Sequence, residues 1–496
     1  MKLRNEIQLI AYPDSLGGNL EALHQALREH FEGVIGGVHI LPFYPSTSDR
    51  GFSPTTHLEV DSNFGDWKDV ERIGESVDLM ADLVVNHVSC QSEYFRDYLT
   101  KGDASEYKDF FIDEEKFFAG AQPNEDDIAA LYRPRPESPF REHTFGDGTK
   151  KKLFSTFSID QIDLDTENPE VLSLLASYID QLADAGVDLL RLDALGYARK
   201  RRGTNSFMIP ETYEFIQWLA EKAHARGVAI LPEIHAHYTE QQKLAAADGV
   251  DYVYDFGLPM LVLFTIFFGD TRPLERWMEI RPANAITVLD THDGIGVVDA
   301  NGLLTDEEID RTLHLLRVHG GNAMLRATGT NSDNVDIYQM NVTYYSALGR
   351  SAEGYLLARA IQFFAPGIPQ VYYVGALAGK NDEEKLNATG VGRDINRHDY
   401  TLEEIARECE RDVVRWLFAL MRFRNTYPAF GGEFSIIPCD AKRLHWKWKK
   451  ENLSCELIAD LEVYDARIVY IDEETGEKKE MKLCESIEEE MPKESG

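Results

Sequence analysis

Cysteine is scarce in this chain, and its few positions exclude more than they suggest. The five residues, Cys90, Cys409, Cys439, Cys455 and Cys484, contain no Cys-x-x-Cys pair and leave an odd thiol. That argues against a disulfide framework and a cysteine zinc site, and it fits a reducing compartment. The amino terminus MKLRNEIQLIAYPDS has no apolar signal core, and no stretch approaches the roughly 18 apolar residues of a membrane helix, so a cytoplasmic protein without a membrane partner is expected. Basic residues are also short: 51 Lys plus Arg stand against 85 Asp plus Glu, a net charge of −34. Such a field repels nucleic acid and anionic lipid. It disfavours anionic substrates too, so any phosphate in the chemistry would need a local cluster of Arg.

What is abundant is apolar sequence, 43% of 496 residues, enough for a large core in one domain with insertions or in a few smaller units. Eight short β-rich runs recur: IQLIAY from Ile7, GGVHILPF from Gly36, LMADLVVNH from Leu79, VDLLRLDA from Val187, VAILPEIH from Val228, DYVYDF from Asp251, ITVLDTHD from Ile286 and PQVYYVG from Pro369. Near-continuous apolar runs suit parallel strands buried on both faces. Between them, segments such as NLEALHQALREHF from Asn19, PETYEFIQWLAEKAHARG from Pro210 and VVRWLFALMRFR from Val413 carry apolar residues at helical spacing. The pattern predicts an α/β protein, a (β/α)8 TIM barrel, with an open doubly wound sheet as the alternative.

The barrel is expected to occupy residues 1–87, 168–293 and 355–430, with inserted domains at 88–167 and 294–354 after the third and seventh strands and a small C-terminal β domain at 431–496. The first insertion, about eighty residues, is too long for an ordinary loop, and both leave the carboxyl ends of strands, where a barrel builds its active site. The first holds LYRPRPESPF (131–140) and the second the polar TGTNSDNVDIYQ (328–339). The acidic tail, Glu485 to Glu494, reads as a solvated end.

Polar residues concentrate at the strand exits. DLVVNH closes one run with Asp82, Asn86 and His87, groups that must meet one another or a ligand when buried. In GVDLLRLDA, Arg191 and Asp193 fall on the same side of a strand, where Arg191 would hold Asp193 ionised. Taken alone, each motif is equally a satisfied structural cluster or ion pair. In LPEIHAH, Glu233 follows an apolar run beside His235 and His237, a setting for a general acid, with a metal site as the competing idea. VLDTHDGIG adds His292 and Asp293.

Together, in this order on successive strands, DLVVNH, GVDLLRLDA, EIH and the HD of DTHD resemble the signature regions of the α-amylase family (glycoside hydrolase family 13). The resemblance implies Asp193 as nucleophile, Glu233 as acid/base and Asp293 as transition-state stabiliser, with His87, Arg191 and His292 as sugar-binding neighbours. A retaining mechanism needs two carboxyl groups about 5 Å apart, one attacking the anomeric carbon while the other protonates the leaving oxygen.

Further motifs, GGVHILPF, SDRGF, YRPRP, DTHDGIGVVD, DIYQMN, TYYSALG, PGIPQVYYVGALAGKND and GRDINRH, are similar to the sucrose phosphorylase subgroup over nearly the whole chain. That similarity implies Asp49 and Arg397 gripping the donor glucose, Phe52 beside it, Tyr197, His235, Asp336, Tyr338 and Gln339 lining the acceptor side, and Arg135 with the Tyr338 hydroxyl holding phosphate. The implied activity is reversible phosphorolysis of sucrose through a β-glucosyl ester on Asp193. Glucosylglycerol is a rival substrate. Sucrose 6-phosphate is disfavoured because Asp333 and Asp336 would repel a second phosphate, and hydrolysis remains a side outcome. A catalytically dead binding ectodomain would lack acids that are present here. No cofactor and no metal is expected, since no acidic loop motif compels calcium. The C-terminal domain and one flat insertion offer surfaces for a homodimer.

Overall fold

The structure is a computed structural model that describes residues 3–121, 125–135, 137–327 and 335–484. Eight parallel strands form its centre: β1 (Gln8–Ala11), β2 (Gly37–Ile40), β3 (Asp78–Val84), β4 (Leu189–Asp193), β5 (Ala229–Pro232), β6 (Val253–Asp255), β7 (Ala285–Thr287) and β8 (Ile368–Tyr372). They hydrogen-bond in the order β6-β7-β8-β1-β2-β3-β4-β5. The ring is completed where the Tyr252 amide donates to the Ile230 carbonyl at 3.3 Å. This is the predicted barrel, each strand overlapping one of the eight apolar runs, with three of them starting one residue earlier, and the open sheet is excluded. Burial on both faces explains those runs: every residue of β1, β2 and β8 is buried.

Helices cover the outside, several with one apolar stripe, while Leu258–Phe268 and Ala352–Phe364 are buried nearly all round. Pro169–Asp184 starts on an Asn168 cap that accepts from the Glu170 amide, and buries Val171, Leu175, Tyr178, Ile179 and Leu182. Proline at the first turn costs no hydrogen bond there. Leu20–His30, Pro210–Ala225 and Asp412–Thr426 follow the same pattern where the sequence predicts helices.

The chain leaves the barrel at two strand exits. After β3 it forms the antiparallel pair His87–Ser89 with Gln161–Asp163 and the hairpin Phe140–Thr144 with Lys150–Phe154. After β7 it builds the helix Asp306–Val318 and the antiparallel strands Asn322–Ala327 and Val335–Asn341. Both insertions stand over the C-terminal strand ends. Beyond the last barrel helix, five antiparallel strands from Glu433 to Lys482 form a separate sheet. It is anchored by Trp448, whose indole donates to the Phe364 carbonyl at 2.8 Å. The acidic tail and residues 328–334 of the polar segment lie outside the described residues. Among the described residues no helix is long and apolar enough to cross a membrane.

Candidate active site

Parallel register sets the first contacts. On β3 and β4, Asp82 stands beside Arg191 and Val84 beside Asp193. Arg191 Nη1 donates to Asp82 Oδ1 at 2.5 Å and to Asp193 Oδ1 at 2.8 Å, while its Nη2 lies 3.8 Å from Glu233 Oε1 at the end of β5. His39 on β2 extends the chain, its Nε2 2.7 Å from the other Asp82 oxygen. A single guanidinium therefore faces three carboxyl groups, too little positive charge to neutralise them all. Burial raises the Asp193 carboxyl well above the usual carboxylate range, Arg191 opposes, and Glu233 and Asp82 add to the rise. Arg191 does pair with Asp193, as the sequence suggests, but the arginine is shared with Asp82 and Glu233.

Asp193 and Glu233 open into one cavity of about 710 Å³ at the C-terminal mouth of the barrel. His292 and Asp293 join them from the loop after β7, which ends as a strand at Thr287, earlier than the apolar run suggested. Although burial raises it, His292, Arg393 and His235 hold the Asp293 carboxyl well below its usual range. Phe52 stacks on His292 with ring centres 4.8 Å apart and planes 8° from parallel. His87 is buried and its pKa is lowered by that burial. The Asn86 amide lies 3.2 Å from its Nδ1, which leaves Nε2 as donor to the Phe52 carbonyl at 2.8 Å.

In the same cavity wall Asp49 meets an arginine, and it is Arg393. Its Nη2 donates to Asp49 Oδ1 at 2.8 Å and its Nη1 to Asp293 Oδ1. Arg397, the expected partner, is 2% exposed and turns away, with Nε on the His292 carbonyl at 3.0 Å and Nη1 4.0 Å from Asp394. The motif GRDINRH holds both arginines four residues apart, and nothing in its composition tells which one reaches the cavity. Gln161, Phe157 and Phe207, also in the wall, carried no sequence signal beyond lying in or near an insertion.

Beside Glu233 the cavity wall also carries positive charge. His235 is sandwiched by Phe256, with ring centres 4.1 Å apart, and its Nδ1 is 2.9 Å from Asp299 Oδ2, a fully buried carboxylate. Burial opposes protonation, yet Asp299, with Glu233 and Asp293, raises the His235 pKa to about 9. An imidazolium is thus present at neutral pH. Its Nε2 faces Glu233 Oε1 at 3.4 Å, and the Gln339 side-chain amide, 3.3 Å away, pairs with an imidazolium only with its oxygen turned toward the ring. Tyr338 meets the same ring edge-on, and burial pushes its hydroxyl pKa well up, so it stays a donor. Tyr197 and Arg135 line the same cavity, Arg135 Nη1 lying 3.5 Å from Met324 Sδ. Asp336 sits on the strand Val335–Asn341 opposite Arg326, and its side chain lies outside the described residues.

The histidine pair of HAH does not converge: His237 caps the helix Tyr238–Ala245 and bonds Thr239 Oγ1 at 2.9 Å. Glu233, His235 and Asp293 do bring one donor atom each within 4.8 Å of one another, but Asp299 and Arg393 already engage two of the three.

The alpha-amylase catalytic-domain family model matches residues 31–265. A sucrose phosphorylase of Streptococcus mutans is 48% identical over 87% of this chain and 89% of that protein. A glucosylglycerol phosphorylase of Marinobacter adhaerens is 42% identical over 97% of this chain and 100% of that protein. The crystal structure of sucrose 6F-phosphate phosphorylase from Thermoanaerobacter thermosaccharolyticum, 42% identical, superposes with a TM-score of 0.93 over 97% of this chain and 98% of that one. The chain belongs to the sucrose phosphorylase subgroup of the α-amylase family. It is an enzyme of the glycosyltransferase-type disaccharide phosphorylases, whose homologues act on small-molecule glycosides and phosphate.

One internal cation supports this subgroup site from beneath. Lys200 Nζ, 1% exposed, lies 2.8 Å from Asp163 Oδ2, 2.8 Å from Asn86 Oδ1 and 2.7 Å from the Tyr197 carbonyl. Burial lowers its pKa and Asp163 opposes. Three oxygens from the first insertion, the β3 exit and the β4 exit thus converge on a charge the chain itself provides. Through Asn86 it braces His87, and through the carbonyl it braces Tyr197.

Proposed function

We propose that the enzyme performs reversible phosphorolysis of sucrose to α-D-glucose 1-phosphate and fructose with retention of configuration. The observation that carries this reading is one cavity wall that brings together the carboxyl groups Asp193, Glu233 and Asp293, the Asp49–Arg393 pair, and the cations His235 and Arg135.

The Asp49–Arg393 pair suits the hydroxyls of a terminal glucosyl unit, because a carboxylate and an arginine fork accept and donate to neighbouring hydroxyls. In the first step Asp193 attacks the anomeric carbon while Glu233 gives its proton to the departing fructosyl oxygen, and a β-glucosyl ester forms. Asp293, kept ionised by its surroundings, stabilises positive charge on the ring. In the second step phosphate attacks the ester from the face fructose has left, and the Asp193 carboxylate departs. Phosphate is nucleophilic without a strong base, so what it needs from the protein is positive charge. His235, Arg135 and the Tyr338 hydroxyl supply that charge and a hydrogen bond against an unfavourable global field of −34. The reaction is proposed to need no metal, with Lys200 supplying a buried cation beneath the site, and to run in the cytoplasm, which suits a chain without a disulfide framework.

The test is a panel of sucrose, sucrose 6-phosphate and glucosylglycerol, each with and without phosphate. Glucose 1-phosphate from sucrose at the highest kcat/KM supports the reading. Preferential turnover of glucosylglycerol reassigns the acceptor, and free glucose as main product in phosphate overturns phosphorolysis.

A further inference from the structure

The wall of the cavity that carries Asp49 and Phe52 is a loop held in a costly backbone state. Asp49, Arg50 and Gly51 have φ of 50°, 55° and 105°, three successive residues in the left-handed half of conformational space. For residues with a Cβ this region crowds the following carbonyl, and at Gly51 any Cβ would stand 2.6 Å from the Pro42 carbonyl oxygen. Conformations of this kind persist only where the surroundings over-determine them.

One carboxylate does most of the holding. Asp160, from the first insertion, accepts from Thr47 Oγ1 at 2.6 Å, Ser48 Oγ at 2.6 Å and Ser53 Oγ at 2.7 Å on one oxygen, and from Cys90 Sγ at 2.8 Å on the other. Those three hydroxyls bracket Asp49–Phe52 on both sides. Burial raises the Asp160 carboxyl, but the four donors hold it below its usual value. On the far side Arg50 spans Asp14 and Asp399 at 2.9 Å each and lies 4.5 Å from the centre of the Tyr12 ring. Asp160 itself does not line the cavity.

We propose that Asp160 is a positioning residue for donor recognition: it straps the first insertion to the loop Ser46–Ser53, and so keeps Asp49 on Arg393 and Phe52 on His292. The proposal rests on the reading that this wall receives the glucosyl unit. An ionised carboxylate only accepts hydrogen bonds, which is what four converging donors require. An asparagine offers one acceptor oxygen and turns an NH2 against donors.

Asp160→Asn is therefore expected to raise KM about tenfold for sucrose and equally for glucose 1-phosphate, the two donors sharing the glucosyl unit, as loss of a charged acceptor predicts. kcat, the KM for phosphate and the phosphate-to-water partition are expected to stay within about threefold, since the acceptor side is untouched. Hydrogen exchange of amides 49–52 in the intact enzyme is expected to accelerate about tenfold. A strap that is merely structural would lower the active fraction and leave KM alone, which overturns the proposal, as does a rise for only one donor. Should Asp160→Asn not fold, Ser48→Ala and Ser53→Ala each remove one donor and decide the matter through the same KM and exchange readouts. If the parent enzyme turns over neither donor, the substrate reading fails, while unchanged exchange at 49–52 sinks the strap independently.

Discussion

Replacing Asp299 with Asn tests the electrostatics of the proposed phosphate site most directly. His235 has an ordinary value of 6.5 and is raised to about 9 in the fold, a difference equivalent to about 3 kcal/mol. Because the folded pKa lies above the unfolded one, this stabilisation is fully present below pH 6.5 and is lost as pH rises through about 9. Asn removes the partner that sustains the charge, and burial then favours neutral imidazole. The difference in unfolding free energy between parent and Asp299→Asn, measured by urea denaturation at fixed pH values, is thus expected to be about 3 kcal/mol larger at pH 6 than at pH 10. Other titrations cancel in the difference. On activity, losing the cation is expected to raise the KM for phosphate about tenfold at pH 7, worth ~1.4 kcal/mol, with little change in KM for sucrose. A stability gap that is flat from pH 6 to 10, or a titration of His235 by NMR near its ordinary value in the parent, would refute the reasoning.

Glu233→Gln is expected to lower kcat on sucrose by at least about 10³-fold and to recover much of it with glucosyl fluoride, whose leaving group needs no proton; Asp193→Asn is expected to lose both. Arg393→Ala uncovers Asp49 and Asp293 together, so a fall of about 100-fold in kcat/KM, ~3 kcal/mol, is expected, against a smaller effect for Arg397→Ala on donor KM. Lys200→Met leaves Asp163 buried without its cation; a loss of about 3–5 kcal/mol in stability follows, read by thermal or urea unfolding. Activity of the parent in excess EDTA is expected to be unchanged, and inactivation that calcium reverses would contradict the internal-cation account.

The barrel was legible because its physical cause is one-dimensional. Strands buried on both faces must be apolar nearly throughout, so eight short runs such as LMADLVVNH and VDLLRLDA could be counted without coordinates. The acids were legible for a related reason: a charged residue terminating such a run, Asp193 or Glu233, has no place in a core. Asp299 shows the limit. It is fully buried and raises the pKa of His235, but in VVDA it looks like any acid in a long insertion.

By itself the amino-acid sequence determined the architecture and picked out the carboxyl groups that meet in the cavity, because hydrophobic periodicity and the residue at each strand's end are local properties. Only the tertiary structure decided that Arg393 rather than Arg397 faces Asp49, that Arg191 is shared among three carboxyls, and that Lys200 and Asp160 tie the first insertion to the barrel. Those are matters of which side chains arrive at one point in space from residues as far as 344 positions apart. Distance and burial, set by how loops fold back over the barrel mouth, choose among chemically equivalent candidates, and no spacing along the chain encodes them.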